Sequence, residues 1–298
     1  MLLYDRGKFQ VLYLDKDYQD QELINFFLQE VMMAQVPEFT HVMGISLLHK
    51  CNFNCEHCGY IYIGDTEDHI IKPGYKLTWE QVETAITESA AIEDTKWNLN
   101  YTGGEPTLWE DKGKDFVDIL IKSANSGAAP SYNTNGSYFD NLENCREFFN
   151  RYLENTDVPC RTFISMDKFH KNYDEEKGRA KSLDNIIKVF SELPEEKKKL
   201  LPTHVIIIVT KDPNSSLPEE MKEYYGQYGI SFGDFPMMPI GKAKDISDQL
   251  VENPPDLSGM GAKRGKGPGT VVLVGDDYYV SGQKRGRLGR LSELYTEE

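Results

Sequence analysis

The chain has 298 residues, 39% of them hydrophobic, and a formal net charge of −15. This length suffices for one large domain, or for one large and one small domain. The negative charge disfavours binding to nucleic acid or anionic lipid through bulk electrostatics. No apolar run approaches the length of about 18 residues that a membrane span needs, so we expect neither a nucleic-acid partner nor a membrane segment.

Cysteine usage predicts the cellular compartment. The chain has five cysteines, and an odd number in a chain of this length does not make a disulfide framework. The N-terminal segment MLLYDRGKFQ carries charged residues too early for a signal peptide. Both observations predict a cytoplasmic protein, because thiols stay reduced there.

Residues 1–40 predict an N-terminal extension, with a short hairpin or strand at KFQVLYL and a helix over 20–35 that ends before Pro37. From His41 onward, β-branched runs of strand length alternate with amphipathic segments of helix length. The predicted strands cover 42–48, 97–103, 131–136, 161–167, 204–210 and 230–238, and the predicted helices cover 78–93, 111–126, 141–154, 181–193 and 217–228. Thr78 and Ser182 are the expected N-caps of two of these helices.

This alternation predicts an α/β fold with a parallel sheet and right-handed crossovers. Six strands are fewer than the eight of a complete barrel, so we expect a partial (β/α)6 TIM-like barrel over residues 41–241. Residues 242–269 are rich in Gly, Pro and charge and predict a linker or lid. Residues 270–298 predict a small C-terminal β-hairpin appendage that turns at Gly275-Asp276-Asp277.

Three of the five cysteines fall in one short segment, KCNFNCEHCGY, directly after the first barrel strand. They are Cys51, Cys55 and Cys58. Chemistry in α/β folds lies at the carboxyl ends of the strands, so this loop is placed for an active site. One interpretation is a zinc site, for which the candidate fourth ligands are His49, His57 and His69. The other is a four-iron cluster that leaves one iron without a protein ligand.

A second motif, YTGGEPTL, ends the next predicted strand. Glycines let the backbone approach a ligand closely, and a carboxylate can pair with an ammonium group. With the preceding C-x3-C-x2-C loop, the chain resembles the radical S-adenosylmethionine (SAM) superfamily over roughly residues 40–240. The resemblance implies an enzyme with one [4Fe–4S] cluster bound by the three clustered cysteines, and it implies SAM as cosubstrate. Cys145 and Cys160 are then expected to be core residues.

The resemblance also implies a mechanism. In this superfamily the amino and carboxylate groups of SAM chelate the fourth iron, and an electron from the reduced cluster breaks the sulfonium C–S bond. The resulting 5′-deoxyadenosyl radical abstracts a hydrogen atom from the substrate. An electron donor such as flavodoxin or ferredoxin is implied as a partner.

Several cosubstrate contacts follow from the resemblance. The residues that it assigns to the methionine amino group are Gly103, Gly104 and Glu105. His57 occupies the position of an aromatic residue that packs near the adenine in relatives. Asn133 and Asn135, in NTNG at the end of the third predicted strand, are expected to line the pocket or to cap the turn.

The fourth predicted strand, FISMD, supplies further candidates. Ser165 and Asp167 stand two residues apart and therefore face the same side of a strand. In relatives, polar residues at this strand contact the ribose hydroxyls or the methionine carboxylate. Arg179 resembles the arginine that relatives use on that carboxylate. His170 follows on the same loop and is a candidate proton donor or acceptor for the substrate.

The end of the chain resembles the start of the SPASM/twitch extension, which in many members carries cysteines for auxiliary clusters. Ser281 stands where relatives have a cysteine, shortly before the segment Leu288–Leu291, and no cysteine follows Cys160. We therefore expect one cluster only and a cysteine-less remnant of that extension. We also expect the remnant hairpin to recognise substrate and to cover part of the barrel mouth.

The partly retained extension favours modification of a ribosomal peptide, with a small metabolite as the other substrate class. A glycyl-radical-enzyme activase is an alternative, although its relatives usually lack the extension. A non-enzymatic iron–sulfur binding module is the second alternative, and the GGEP motif argues against it because a binding module needs no cosubstrate pocket.

Overall fold

A computed structural model describes residues 2–5, 8–11, 41–58, 74–170, 172–174, 176–212, 215–237, 241–249, 270–280 and 283–295. Strands β1 (Leu2–Asp5) and β2 (Lys8–Val11) form an antiparallel pair, which confirms the predicted N-terminal hairpin. The helix predicted over residues 20–35 lies outside the described residues, as do Ser281 and most of the predicted linker.

The remaining strands, in chain order, are β3 (His41–Ser46), β4 (Trp97–Thr102), β5 (Glu110–Asp111), β6 (Lys114–Asp115), β7 (Ala129–Thr134), β8 (Arg161–Ser165), β9 (Thr203–Val209), β10 (Ser231–Pro236), β11 (Thr270–Val274), β12 (Asp277–Val280) and β13 (Gln283–Arg287). The α-helices are α1 (Trp79–Ala90), α2 (Phe116–Asn125), α3 (Leu142–Asn155), α4 (Lys181–Glu192), α5 (Glu195–Lys198) and α6 (Glu219–Gly226). Short 3₁₀ segments cover Pro106–Leu108, Ser137–Asp140, Gly241–Gln249 and Leu291–Tyr295. Among the described residues, every helix is too short or too polar to cross a bilayer.

The main sheet has the strand order β10-β9-β8-β7-β4-β3-β11-β12-β13. All pairs from β10 to β11 are parallel, and β11, β12 and β13 pair antiparallel. Within the described part of the chain, β10 and β13 each have one neighbour, so the sheet is open. The six predicted barrel strands all form, which confirms the partial (β/α)6 barrel.

Alternation along β4 separates two faces of the sheet. Tyr101 is fully buried and points toward α2, where its hydroxyl lies 2.5 Å from the Ser123 hydroxyl. Asn100 points to the opposite, concave face, where its amide donates to Ser131 of β7 (3.1 Å) and accepts from Asn133 (3.0 Å). The apolar face packs against the helices, and the concave face carries a buried ladder of polar side chains.

Helix caps were predicted correctly in one case of two. Thr78 caps α1 in a reciprocal capping box with Gln81, as expected. Ser182 is not a cap, because α4 already begins at Lys181 and the extended N-cap residue is Ala180. Ser182 is instead 1% exposed inside the helix, beside Gly136.

The C-terminal hairpin forms as predicted, with β11 and β12 joined by a turn at Gly275 and Asp276. The structure adds two features to that prediction. Strand β11 lies parallel to β3 in the main sheet, and β13 extends the sheet further. The carboxylate of Glu88 on α1 fixes this region by accepting hydrogen bonds from the Tyr278 hydroxyl (2.6 Å) and from the backbone N–H groups of Gly289 (2.9 Å) and Leu291 (2.8 Å).

Candidate metal centre

The cysteine loop leaves the sheet at the carboxyl end of β3, at the edge where the parallel strands β4, β7 and β8 also end. The GGE segment holds its first residues through the backbone. The Gly104 N–H donates to the Leu48 carbonyl (2.7 Å), and the Glu105 N–H donates to the Lys50 carbonyl (2.9 Å). The loop is therefore fixed to the next strand end immediately before Cys51.

The two glycines of this segment are required by that contact. Gly103 has φ +145°, and a Cβ there would lie 2.6 Å from the Leu48 carbonyl oxygen. A Cβ on Gly104 would lie 2.2 Å from the Lys50 carbonyl oxygen. Neither distance is compatible with a side chain, so both glycines permit packing against the start of the cysteine loop.

Tyr75 holds the other side of the loop start. Its carbonyl accepts from the His49 N–H (2.9 Å), and its hydroxyl donates to the Ser46 carbonyl (2.8 Å). The same hydroxyl accepts from the Gly275 N–H (2.8 Å), and burial raises the pKa of Tyr75. The turn of the C-terminal hairpin thus lies beside the cysteine loop, at the edge predicted for the active site.

The five cysteines divide into two groups. Cys145 and Cys160 are 0% and 2% exposed in the hydrophobic core, which confirms their predicted packing role. Cys51, Cys55 and Cys58 are cysteines of intermediate exposure that form no disulfide with one another. Burial raises the pKa of Cys51 to about 11, although a hydrogen bond from the Phe53 N–H opposes this shift.

The two metal interpretations require different arrangements of the three thiols. A tetrahedral zinc ion with Zn–S bonds near 2.3 Å places its sulfurs about 3.8 Å apart. Among the described residues, the cysteine sulfurs do not form a group lying within 4.8 Å of one another. The three thiols are therefore not gathered at the spacing of a single-ion site. Three thiols on one loop, with the other two cysteines in the core, fit a cluster that takes one thiolate per iron.

Glu105 is 1% exposed, and its carboxylate joins the ends of β4 and β7. One oxygen accepts from the Thr107 N–H (3.2 Å) and from the hydroxyls of Thr107 and Thr134 (2.7 Å each), and the other accepts from the Asn135 N–H (2.7 Å). Burial raises the pKa of Glu105, and these hydrogen bonds oppose the shift. The chain itself therefore supplies four donors to this carboxylate.

His57, Asp167 and His170 come together at the end of β8. One ligand atom from each lies within 4.8 Å of the other two. His170 Nδ1 is 2.9 Å and His57 Nε2 is 3.8 Å from Asp167 Oδ2. The His57 ring lies 4.6 Å from the ring of Phe169. His57 Nδ1 is buried without a hydrogen-bond partner, which marks a place for a polar group that the chain does not provide.

The charges of this cluster are strongly coupled. Burial lowers the pKa of His57 to about 4. Burial also acts to lower the pKa of His170, but hydrogen bonds with Asp167 and Cys55 outweigh it and raise this pKa to about 10. Burial acts to raise the pKa of Asp167, but the hydrogen bonds from His170 and the charges of His170 and His57 together outweigh it, so this pKa lies below its ordinary value.

The other predicted site residues are distributed as follows. Ser165 ends β8, and its carbonyl accepts from the Asn172 amide (2.7 Å). Asn133 faces the concave side of the sheet, as described above. Arg179 is not brought to the cysteine loop by its observed contacts, because its guanidinium stacks on Tyr224 of α6 at 3.4 Å and lies 3.7 Å from Asp184. The roles assigned to these residues remain predictions.

Three residues near the site had no role predicted from the sequence. Asn172 joins the ends of β7 and β8, because its amide also donates to the Asn135 carbonyl (2.9 Å). The Lys242 N–H donates to the Cys58 carbonyl (3.1 Å). Tyr75 is the third. Each acts through a contact distant in sequence, so no local pattern marks it.

The comparisons with known proteins agree with this geometry. The model of the radical SAM superfamily matches residues 45–224, which is more than half of the chain. The chain therefore belongs to the radical SAM superfamily of enzymes, whose members use a [4Fe–4S] cluster and SAM. Curated protein sequences gave no match.

Solved structures share the fold at low sequence identity. Histidine-tagged anSMEcpe with bound AdoMet has 15% identity and a TM-score of 0.51, with 86% of this chain and 77% of that chain covered. Native anSMEcpe with bound AdoMet has 14% identity and a TM-score of 0.50, with 86% and 80% covered. Native anSMEcpe with bound AdoMet and Kp18Cys peptide has 15% identity and a TM-score of 0.43, and the alignment spans 65% of this chain and only 51% of that one.

Proposed function

We propose that this chain holds one [4Fe–4S] cluster through Cys51, Cys55 and Cys58 and uses SAM to modify a peptide. The main support for the proposal is that the two groups of cysteines differ in their exposure. The three thiols on the loop after β3 are partly exposed, whereas Cys145 and Cys160 are buried in the core. A set of three thiolates leaves one iron open for a cosubstrate.

When bound, a reduced cluster and SAM supply the radical that removes a hydrogen atom from the substrate. The chain's own residues position the cysteine loop and shield the site from water. Gly103 and Gly104 let the second strand end pack on the start of the cysteine loop. Phe169, Met237 and Ala243 form a buried apolar group beside His57, which excludes water from this side of the site.

The polar residues at the strand ends support cosubstrate binding. Asp167 and His57 present buried polar atoms at the end of β8, and the unpartnered His57 Nδ1 supports a polar ligand there. Ser165 and Asn133 occupy neighbouring strand ends. We propose that these residues and Arg179 contact SAM, that His170 exchanges a proton with the substrate, and that a flavodoxin or ferredoxin supplies the electron.

Two observations support a peptide substrate. The C-terminal segment resembles the extension of peptide-modifying relatives, and its turn lies at the active-site edge through the Gly275 to Tyr75 hydrogen bond. Within the described residues the sheet is open at β10 and β13. We propose that an extended substrate chain reaches the concave face past one of these edges.

Iron content tests the cluster assignment. After anaerobic reconstitution, the wild-type chain should bind about four irons and four sulfides, and it should release 5′-deoxyadenosine with dithionite and SAM. Cys55→Ala should lose the cluster and this activity. Cys160→Ala, a matched control in the core, should retain both. Full iron content in Cys55→Ala would contradict the assignment.

Deuterium transfer tests the substrate class. Peptide and small-metabolite fractions from cells grown in deuterated medium are each incubated with the reconstituted enzyme, SAM and dithionite. Deuterium should appear in 5′-deoxyadenosine with the peptide fraction. Transfer from the small-metabolite fraction alone would replace the peptide proposal with a small-molecule substrate and leave the cluster assignment intact.

A further inference from the structure

Asn135, at the edge where β7 ends, forms hydrogen bonds through its backbone N–H, its carbonyl and both ends of its side-chain amide. It is 6% exposed. Its N–H donates to the Glu105 carboxylate (2.7 Å), and its carbonyl accepts from the Asn172 amide (2.9 Å). Its side-chain oxygen accepts from the Ser137 N–H (2.9 Å). The backbone and the side-chain oxygen are therefore fixed independently of the cysteine loop.

The side-chain nitrogen of Asn135 points to the cysteine loop. It donates to the Asn52 side-chain oxygen (2.8 Å) and to the sulfur of Cys51 (3.7 Å). The orientation of the amide follows from the network, because the Ser137 N–H can only donate and must face the oxygen. The two amide hydrogens are thus left for Asn52 and Cys51.

A turn cap alone does not account for this residue. An asparagine that only caps a turn uses its oxygen and leaves its nitrogen to solvent. Here the nitrogen is directed at the first of three proposed cluster ligands. The Cys51 sulfur also accepts from the Phe53 N–H (3.3 Å), so this thiol has a backbone donor and a side-chain donor.

We infer that Asn135 is a positioning residue that sets the reduction potential of the cluster through an N–H···S hydrogen bond to Cys51. The inference rests on the proposed function, in which Cys51 is a cluster ligand. Reduction adds negative charge that is shared by the ligating sulfurs, so a donor to sulfur stabilises the reduced state more than the oxidised state. The bond therefore raises the potential and makes the electron easier to accept.

The test compares Asn135→Ser with Ser137→Ala in the reconstituted full-length protein. Serine keeps a short oxygen that can accept from the Ser137 N–H but removes the amide donor. Ser137→Ala removes the hydroxyl that accepts from Asn52 (2.8 Å) and leaves the amide of Asn135 in place. The midpoint potential is measured by electron paramagnetic resonance during redox titration, without SAM.

Loss of one such hydrogen bond should make reduction about tenfold less favourable. For a one-electron couple, this is a fall of about 59 mV in midpoint potential. Asn135→Ser should show this fall with its iron content unchanged, and Ser137→Ala should titrate like the wild type. An unchanged potential in iron-replete Asn135→Ser would overturn the inference.

A second measurement uses the wild type and so does not depend on the variant's folding. Asparagine labelled with ¹⁵N only in the side chain should give a nitrogen coupling to the reduced cluster in pulsed electron paramagnetic resonance. Absence of this coupling would overturn the inference even if Asn135→Ser fails to load iron. Failure of the proposed function is distinguishable, because Cys51→Ala would then retain full iron content.

Discussion

Two buried carboxylates, Glu105 and Asp167, lie at strand ends on the same edge of the sheet and have contrasting surroundings. Glu105 accepts four hydrogen bonds from backbone and hydroxyl groups, and burial raises its pKa. Asp167 accepts from two backbone N–H groups and lies beside two imidazoles, and its pKa is lowered. Both are almost fully buried, so burial alone does not explain the difference.

The difference indicates two functions for similar groups. The hydrogen-bond donors to Glu105 have no ionisable protons near neutral pH. Its carboxylate therefore links the ends of β4 and β7 without a change of charge in its partners. Asp167 also lies beside two imidazoles, which can change their charge. The β8 end is therefore where charge can rearrange when a ligand arrives, while the β4 end holds the cysteine loop in place.

The largest expected effect comes from breaking the backbone contact at the β4 end. Gly104→Ala should destabilise the metal-free chain by more than about 4 kcal/mol, because the new Cβ would overlap the Lys50 carbonyl. Gly113→Ala is the matched control, since it has φ +74° but nothing within 4 Å, and it should cost about 1 kcal/mol. Urea unfolding measures both, and equal losses would show that the loop start moves freely.

Removing each carboxylate compares the two ends directly. Glu105→Ala should lower the free energy of unfolding by about 2–4 kcal/mol, because several buried donors lose their acceptor. Asp167→Asn should cost about 1.5–3 kcal/mol, because the amide oxygen can still accept from the N–H groups of Phe169 and His170 but the charge that pairs with the His170 imidazole is lost. If Asp167→Asn lowers the free energy of unfolding in urea more than Glu105→Ala does, the β8 end and not the β4 end holds the structure in place.

The smallest expected effect concerns pH, because Glu105 and Asp167 should change the stability in opposite directions as the pH rises. The pKa of Glu105 is raised above 4.5, so the native state keeps a proton that the unfolded chain releases, and stability falls as pH rises above 4.5. The pKa of Asp167 is lowered below 3.8, so its contribution is present above pH 3.8 and is lost as pH falls through the native value. Each slope is at most about 1.4 kcal/mol per pH unit.

Unfolding of the metal-free protein across this pH range checks both slopes. Glu105→Gln should flatten the curve only above pH 4.5, whereas Asp167→Asn should flatten it in the acid region and also between about pH 6.5 and 10, because Asp167 raises the pKa of His170 to about 10. If neither variant changes the slope, the native and unfolded pKa values of both carboxylates are the same, and the contrast between the two ends is one of geometry alone.

Local patterns predicted most of the barrel, because each strand and helix has its own period of apolar residues. The strand WNLNYT alternates between Asn100 and Tyr101, and these residues do face opposite sides. The prediction that Ser182 is an N-cap was wrong because a tertiary contact sets the start of α4. The Tyr225 hydroxyl of α6 accepts a hydrogen bond from the Ala180 N–H (2.9 Å). The pairing of β11 with β3 joins segments distant in sequence, which no local period encodes.

The candidate site was predictable in part for the same reason. Cysteine spacing and the GGEP segment point to the metal chemistry by themselves. The close approach of Gly104 to Lys50 depends on how two strand ends meet, and so does the hydrogen bond from Asn135 to Cys51. Residue type can suggest such contacts, but only the register of neighbouring strands places the atoms.

The pairing of β11 with β3 also determines when the sheet can be completed during synthesis. Strand β3 is the first barrel strand to emerge from the ribosome, yet Val42 pairs with Thr270, near the other end of the chain. Until then β3 presents an unpaired edge, and exposed strand edges favour aggregation. Production of this protein should therefore benefit from chaperones that shield the β3 edge until Thr270 has been synthesised.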